Sequence, residues 1–236
     1  IKSASDDLKL GKPVIIVDDE GRENEGDLAI AAQWATPEAI NFMARFGRGL
    51  ICLPMVEEDV AKIGLTMMVS DNTSPYGTAF TITIDAAENI TTGISAADRA
   101  YTILAAISDD ANSSKIVTPG HIFPLQAKKG GVLVRAGQTE GSVDLARLAG
   151  LKPSGVICEV MRDDGKMARL PDLEEFSEEH GLKLCTVPDL IQYRLKCDSL
   201  VYRAASAKLP TRSGGQFDAI VYNTHVDSSE HLALVK

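Results

Sequence analysis

Short apolar runs alternate with amphipathic stretches along most of the chain. The β-branched run at 13–17 predicts a buried strand, and the apolar run at 28–32 predicts a second one after an acidic loop. Thr36 followed by Pro37 is typical of a helix start. Further strands are predicted at 50–54, 79–85, 132–134 and 155–161, and further helices at 56–63, 96–107, 142–148, 172–180 and 187–195. This order favours an α/β or α+β domain.

The composition narrows the class of protein. The 236 residues are 44% hydrophobic, which suits one large domain, or one domain with a short appendage. No apolar run approaches the roughly 20 residues that cross a bilayer, so we expect no membrane partner. The net charge of −9 argues against a nucleic-acid partner, and the four scattered cysteines favour a reducing compartment.

An acidic loop follows the first predicted strand. Residues 18–27 hold six carboxylates and one arginine, Arg22. A solvated turn is the usual explanation of such a run, but this one lies at the carboxyl end of a buried strand, where α/β proteins build sites. Arg22 can hold a phosphate or carboxylate, Gly21 and Gly26 would permit tight turns, and clustered oxygen ligands suit Mg²⁺.

Four other features can carry chemistry, and each has an ordinary structural alternative. Residues 135–140 join a predicted strand to a predicted helix, so Arg135 and the helix amino end form either an anion site or a simple turn. His121 lies between prolines and is either structural or functional. Glu159 follows an apolar run, which favours an ion-pair partner or a group for proton transfer. Cys52 lies in an apolar strand, which favours a core position over a nucleophile.

Six motifs occur in one order along the chain. They are DDEGRENEGD (18–27), GRGLIC (47–52), GTAFT (77–81), TGISAADR (92–99), PGH (119–121) and RAGQTE (135–140). This order closely resembles the 3,4-dihydroxy-2-butanone 4-phosphate synthase family of riboflavin biosynthesis, over roughly residues 5–200. A single motif of this kind is a weak signal, whereas six in register are specific.

The resemblance implies a fold, a reaction and a partner. The fold is a mixed-sheet α+β domain flanked by helices, which works as a homodimer with sites near the subunit interface. The reaction is that of a lyase, which converts D-ribulose 5-phosphate into formate and L-3,4-dihydroxy-2-butanone 4-phosphate with Mg²⁺, or with Mn²⁺ in its place. Removal of a proton next to a carbonyl needs a positioned base, and metal ions can stabilise the charge that develops.

The resemblance also assigns roles, residue by residue. Catalysis falls to His121, Glu159, Glu25 and Cys52, and the metal ligands are Glu23 and Gln138. Substrate contacts fall to Arg22, Glu23, Asp27, Thr92, Arg135 and Thr139.

Two positions depart from the family pattern. Gly21 stands where the family usually has aspartate, and Gln138 stands where it has a metal-binding histidine. Glutamine still offers a carbonyl oxygen, which Mg²⁺ accepts. One alternative is therefore a degenerate, non-catalytic synthase half that supports dimerisation of a GTP cyclohydrolase II partner. Another is a metal-dependent isomerase or aldolase that acts on a sugar phosphate.

The last residues carry a second resemblance. Residues 209–212 and 230–236 are similar to the start of GTP cyclohydrolase II. We therefore predict a synthase domain at 1–203 and, at 204–236, a linker with a truncated start of a cyclohydrolase-like region that lacks that enzyme's zinc cysteines. The expected location is the cytoplasm, or the plastid stroma after removal of a transit peptide.

Overall fold

The computed structural model describes residues 1–224, 226 and 228–236. Its contacts divide the chain into two units, Ile1–Ile191 and Gln192–Lys236. The predicted boundary after residue 203 rests on sequence resemblance and stays a prediction, and residues 225 and 227 of its second part lie outside the described residues. Among the described residues, none of the helices has both the length and the apolar character needed to cross a bilayer.

The first unit is built on a seven-stranded mixed sheet with order β4-β5-β3-β6-β2-β1-β7. The pairs β1–β7 and β3–β5 are parallel, and the remaining pairs are antiparallel. The predicted mixed-sheet α+β fold is thus confirmed. The strands are β1 Val14–Val17, β2 Gly26–Ala31, β3 Cys52–Met55, β4 Ile84–Ala86, β5 Ile116–Gln126, β6 Gly155–Glu159 and β7 Lys183–Thr186.

Helices cover both faces of this sheet. They are α1 Lys2–Lys9, α2 Pro37–Phe42, α3 Glu57–Lys62, α4 Ala96–Ala106, α5 Gln138–Leu148, α6 Leu170–His180 and α7 Val187–Cys197. Alternate residues of β1 enter two separate cores: Ile15 packs in the core beside α2, α4 and α6, and Ile16 packs in the core beside α1 and α5. This alternation also places Asp27 and Glu159 on the α5 face, next to Ala29 and Ile157.

Several predicted helix ends are confirmed by their caps. The Thr36 hydroxyl accepts a hydrogen bond from the Ala39 amide at 3.2 Å, and α2 continues into a π-helical turn at Met43–Gly47. The Ser95 hydroxyl accepts from the Asp98 amide at 3.0 Å at the start of α4. Gly181 ends α6 in a left-handed conformation, with φ of 64°.

Other predicted elements are wrong. Residues 132–134 form no strand, because Gly130 and Gly131 take positive φ and turn the chain into a 3-10 turn at Gly131–Leu133. The predicted strand at 79–85 is reduced to β4, whereas residues 119–121, expected in a loop, belong to β5. Helix α5 begins at Gln138 rather than at residue 142, and neither α1 nor β7 was predicted.

The second unit contains a three-stranded antiparallel sheet with order β10-β9-β8. Its strands are β8 Val201–Thr211, β9 Gly215–Thr224 and β10 Glu230–Val235.

Candidate active site

A cavity of about 140 Å³ lies on the α5 face of the sheet, where β2, β3, β6 and α5 meet. It contains most of the residues that the sequence singled out, whereas Glu25, Thr92 and His121 are not among its lining residues. The lining consists of Arg22, Glu23, Asp27, Cys52, Thr78, Phe80, Leu125, Arg135, Gln138, Thr139, Ile157 and Glu159.

Two larger cavities are not lined by the residues that the sequence singled out. One of about 430 Å³ lies beside α4, where Lys115 pairs with Asp110 and Asn89 donates a hydrogen bond to the Tyr101 hydroxyl. Another of about 500 Å³ lies between α2 and the end of α6. The smaller cavity remains the candidate site because charged side chains from distant parts of the chain meet in it.

Asp18 organises the acidic loop. Its carboxylate is buried and accepts hydrogen bonds from Arg22 Nη1 at 2.7 Å, from the Glu23 amide at 3.1 Å and from the Glu25 amide at 2.9 Å. Arg169 donates to the Glu23 carbonyl at 3.0 Å from outside the loop. The loop is therefore a structured turn rather than a solvated charge run.

Gly21 lies in a turn as predicted, closed by the Arg22 amide and the Asp19 carbonyl at 2.9 Å, whereas Gly26 begins β2, and neither glycine takes a positive φ. The residue of this loop with positive φ is Asn24, at 54°. Gly26 is required for another reason, because a Cβ there would collide with the Leu173 side chain of α6.

Asp27 and Glu159 form a carboxyl pair at the inner wall of the cavity. They are direct cross-strand partners on β2 and β6, so their Cβ atoms are about 5 Å apart. Burial, reinforced by the charge of Glu159, raises the pKa of Asp27 well above its usual range. Asp27 Oδ1 is buried and has no hydrogen-bond partner among the described residues. Glu159 Oε2 accepts from the Leu50 amide at 2.7 Å, so the pair has one fixed member and one open oxygen.

Gly49 allows the Leu50 amide to reach the Glu159 carboxylate. A Cβ at that position would lie 2.6 Å from the Glu159 carbonyl oxygen and 2.7 Å from its backbone nitrogen. The backbone of residues 49–50 can therefore approach β6 closely enough to anchor the Glu159 carboxylate.

Cys52 lies beside the carboxyl pair but is poorly suited to act as a nucleophile. Burial raises the pKa of the Cys52 thiol well above its usual range, and the charges of Glu159 and Asp27 raise it further. The side chain packs in the core on the α5 face. Its sulfur is therefore held as a neutral thiol at the cavity wall.

Arg22 lies between the two side chains predicted to bind metal. Its Nη2 lies 2.8 Å from Glu23 Oε1, and its Nη1 lies 3.2 Å from Gln138 Oε1. Burial raises the pKa of Glu23, while Arg22 opposes this shift. Burial also raises the pKa of Glu25, whose amide is held by Asp18 while its carboxylate lies outside the lining. The oxygens of Glu23 and Gln138 thus already converge on one cationic group.

These residues fit a magnesium ion, although no complete cage is present. The described residues contain no group of three or more His, Cys, Asp or Glu side chains that could hold a metal ion by themselves. Mg²⁺ is commonly bound by one or two protein oxygens and completes its shell with water and substrate. Glu23, Gln138 and the open Asp27 Oδ1 offer such hard oxygen donors.

The amino end of α5 lies at one corner of the cavity, beside two arginine side chains. Gly137 is the N-cap and has no side chain that could accept hydrogen bonds from the first amides of the helix. A Cβ at Gly137 would lie 2.5 Å from Arg135 Nη1 and 3.1 Å from Arg22 Nη2. Two guanidinium groups therefore lie at the same helix end.

The side chain of Arg135 is fixed by three contacts. Nη1 pairs with the buried Glu140 carboxylate at 2.6 Å, Nη2 donates to the Thr78 hydroxyl at 2.9 Å, and Nε donates to the Tyr76 carbonyl at 3.1 Å. The Tyr76 hydroxyl in turn donates to the Arg22 carbonyl at 2.9 Å, and the Arg22 guanidinium lies 5.0 Å from the Tyr76 ring centroid. The loop at 76–78 thus contacts both Arg22 and Arg135.

His121 lies in a separate cluster near the edge of the sheet. Its Nδ1 lies 2.7 Å from Asp85 Oδ2, and Gly93, the neighbour of Thr92, packs over this pair. The structure therefore does not bring His121 and Thr92 into the cavity of the same chain.

No role was predicted from the sequence for Asp18, Tyr76, Thr78, Asp85 or Glu140. Asp18 and Glu140 lie inside the motifs at 18–27 and 135–140, but no local pattern separates them from neighbouring polar residues. Thr78 also lay inside a motif, and its position after Gly77 was an available signal. Tyr76 and Asp85 act through partners far along the chain, which no local pattern reveals.

Comparisons with known proteins give one consistent result. A family model described as 3,4-dihydroxy-2-butanone 4-phosphate synthase matches residues 2–193. A Neisseria meningitidis protein of that name is 57% identical over 230 residues, which cover 98% of this chain and 63% of the relative. The chain thus spans less than two thirds of the length of these curated relatives, which include a riboflavin biosynthesis protein of Aquifex aeolicus.

Solved structures agree with this result. A two-domain 3,4-dihydroxy-2-butanone 4-phosphate synthase from A. baumannii gives a TM-score of 0.88 at 49% identity, covering 100% of this chain and 69% of its own. A 3,4-dihydroxy-2-butanone 4-phosphate synthase in complex with two magnesium ions gives a TM-score of 0.80 at 40% identity, covering 83% and 96%.

Proposed function

Because the chain belongs to the 3,4-dihydroxy-2-butanone 4-phosphate synthase family, we propose that it is an active lyase of riboflavin biosynthesis. The reaction converts D-ribulose 5-phosphate into L-3,4-dihydroxy-2-butanone 4-phosphate and formate. The observation that carries this proposal is that the Asp27–Glu159 carboxyl pair and the anion-binding end of α5 share one cavity. Proton-transfer groups and a phosphate site are the two parts that such a reaction needs.

The phosphate would bind at the start of α5. The amides of the first helical turn and the Thr139 hydroxyl are hydrogen-bond donors, and Arg22 and Arg135 supply positive charge. Because Arg135 is already oriented by Glu140, Thr78 and Tyr76, little side-chain ordering remains to be done on binding.

The carboxyl pair would move protons at the sugar carbons. Burial, reinforced by the charge of Glu159, raises the pKa of Asp27 and so favours its protonated form, while Glu159 is oriented by the Leu50 amide. Two adjacent carboxyl groups in different environments can serve as acid and base in successive steps. Cys52, as a neutral thiol, would shape the wall beside them, and Glu25 would tune the charge of the loop from outside the lining.

Magnesium is the proposed cofactor, with manganese as a substitute. Glu23 and Gln138 would hold it, with Asp27 Oδ1 as a further oxygen. When bound, the metal would polarise sugar oxygens and stabilise negative charge as a Lewis acid. The Gln138 carbonyl oxygen is a suitable ligand for such an ion, so this departure from the family pattern does not favour the degenerate, non-catalytic alternative.

We also propose a homodimer in which the cavity is completed by the second copy. His121 and Thr92 lie outside the cavity of their own chain, yet their exposed positions leave them free to face another subunit. His121 and Thr92 of one copy would then act at the cavity of the other. The partners are the sugar phosphate and a second chain, and the cytoplasmic or plastid location stays a prediction.

Mixed dimers test this arrangement. His121→Ala and Glu159→Ala chains should each be inactive alone, but co-refolded chains should recover about a quarter of wild-type turnover, because half of the dimers contain one intact site. If the mixture stays inactive while it forms dimers, His121 does not act across the interface.

The chemical proposal is tested by formate release from D-ribulose 5-phosphate in the presence of Mg²⁺. Glu23→Ala should remove metal-dependent turnover and leave the fold intact, because Glu23 lies on the loop and not in the core. Product without a one-carbon fragment would indicate an isomerase instead. No turnover in the wild type, with rescue by Gln138→His, would favour the degenerate alternative.

A further inference from the structure

Asp85 binds both the backbone and the side chain of His121. Its Oδ1 accepts the His121 amide at 3.0 Å, and its Oδ2 lies 2.7 Å from Nδ1 of the ring. Asp85 is itself buried, with 9% of its side chain exposed, whereas the His121 side chain is 42% exposed. One fixed carboxylate therefore sets the position of a histidine that reaches outward.

The strand pairing explains why Asp85 is needed there. Ile84 pairs with Ile122 and Asp85 pairs with Val117, so residues 118–121 of β5 have no backbone partner on β4. The Thr83 hydroxyl accepts the Gly120 amide at 3.0 Å, and Asp85 accepts the next amide. Side chains of the β4 segment thus replace the missing ladder bonds and hold the bulge that presents His121.

Gly93 forms a roof over the Asp85–His121 contact. It takes a φ of 93°, and a Cβ there would lie 2.5 Å from His121 Nδ1 and would also collide with Asp85 Oδ2. The roof is held by Asp98, which accepts from the Gly93 amide at 3.1 Å and from the Thr91 hydroxyl at 2.6 Å. These bonds, the Thr91 hydroxyl first, lower the pKa of Asp98 to about 2. The Gly93 backbone is thereby held directly over the contact between Asp85 and His121.

This geometry has a consequence for the tautomer of His121. A carboxylate can only accept, so Nδ1 must carry the proton that it donates to Asp85 Oδ2. In the neutral ring, the lone pair then lies on Nε2, on the outward side.

We propose that Asp85 is a positioning residue that fixes His121 in the Nδ1–H tautomer, so that Nε2 is the atom that accepts a proton from the substrate. The proton leaves the substrate, forms the Nε2–H bond and returns to substrate or water in a later step, while Nδ1–H stays in place. Asp85 remains an acceptor throughout and stabilises the imidazolium. This inference rests on the proposed catalytic role of His121.

The test combines ring nitrogen-15 NMR with kinetics on the full chain. The four histidines can be labelled together, and His121→Gln identifies the His121 signals. The wild type should show a protonated Nδ1 and an unprotonated Nε2. In Asp85→Asn, the amide oxygen still accepts from the His121 backbone, whereas the amide nitrogen donates to Nδ1 and moves the ring proton to Nε2. We expect kcat to fall about 10²- to 10⁴-fold with little change in KM.

The controls separate the possible failures. Asp6→Asn makes the same chemical change at an exposed position of α1 and should leave both the spectrum and kcat unchanged. If His121→Gln keeps wild-type turnover, the proposed function of His121 is wrong. If His121→Gln is inactive but Asp85→Asn keeps both the wild-type tautomer and kcat, the positioning role is overturned. If the wild-type spectrum shows the His121 proton on Nε2, the proposal for Asp85 is overturned even if the Asp85→Asn variant does not fold.

Discussion

At the scale of the residue, Asp27 is the side chain whose burial conflicts most with its charge. Its carboxyl group is buried against Glu159, with Oδ1 lacking a partner among the described residues. Such an arrangement costs stability and is tolerated where it serves a reaction or binds a cation. Arg22 shows the complementary case, because its guanidinium lies between the Glu23 and Gln138 oxygens that are proposed to hold the metal.

Asp27→Asn is expected to stabilise the protein and abolish turnover. Because the pKa of Asp27 is raised in the folded state, its contribution to stability falls as the pH rises above the usual aspartate range. The variant, neutral at every pH, should therefore be roughly 1–3 kcal/mol more stable at pH 8, and this gain should shrink towards pH 5. Denaturant unfolding at both pH values checks this. A variant that is less stable than wild type at pH 8 contradicts the burial argument.

Arg22→Ala is expected to tighten metal binding in the absence of substrate. The guanidinium competes for the oxygens of Glu23 and Gln138, so its removal should lower the Kd for Mn²⁺ about 3- to 10-fold by calorimetry. Arg212→Ala, which removes the same charge from an exposed position on the second unit, should leave the Kd unchanged. Weaker binding in Arg22→Ala would show that Arg22 supports the metal rather than competing with it.

At the scale of the element, the start of α5 and the loop at 76–78 hold the arginines in place. The helix supplies the Glu140 carboxylate and the loop supplies two further acceptors for Arg135, while the Tyr76 hydroxyl donates to the Arg22 carbonyl in the acidic loop. Neither element is large, but each connects parts of the chain that lie far apart in sequence.

Gly137→Ala at the N-cap of α5 and Gly141→Ala in its first turn form a matched pair. The first places a Cβ 2.5 Å from Arg135 Nη1, so we expect KM for the sugar phosphate to rise about 10-fold. The second meets only ordinary contacts from 3.4 Å and should keep KM while stabilising the helix by roughly 0.5–1 kcal/mol. Steady-state kinetics and thermal unfolding measure both. Equal KM values for the two variants would argue against phosphate binding at this helix end.

Tyr76→Phe is expected to loosen the acidic loop. The variant keeps the ring beneath Arg22 but loses the hydrogen bond to the Arg22 carbonyl, so KM should rise about 3- to 10-fold. Hydrogen exchange of residues 18–27 should become faster. Tyr101→Phe removes a hydroxyl that pairs with Asn89 away from the cavity and should leave exchange in this loop unchanged.

At the scale of the whole molecule, the sheet decides which predicted residues meet. The acidic loop, Arg135 and Thr139 were predictable because each lies in a short motif at the end of an element, and Glu159 was predictable because it follows an apolar run. The apposition of Asp27 and Glu159 was not, because it depends on the register of β2 and β6, which no local pattern fixes. The contact between Asp85 and His121, which are 36 positions apart, could not be predicted for the same reason.

Errors in the predicted elements have local causes. Residues 132–134 have a strand-like apolar pattern, but two consecutive glycines with positive φ turn the chain before them. Residues 119–121 look like a loop, yet Thr83 and Asp85 replace the missing ladder bonds and keep them in β5. In the first case glycine conformation sets the backbone, and in the second case side-chain hydrogen bonds do. The hydrophobic pattern encodes neither.

Formate release from D-ribulose 5-phosphate tests the central claim most directly. With Mg²⁺, the wild-type chain should yield formate and 3,4-dihydroxy-2-butanone 4-phosphate in equal amounts, and both should disappear on chelation of the metal or in Glu23→Ala. A folded wild-type chain, as a homodimer with Mg²⁺, that releases no formate would contradict the assignment of this cavity as a lyase site.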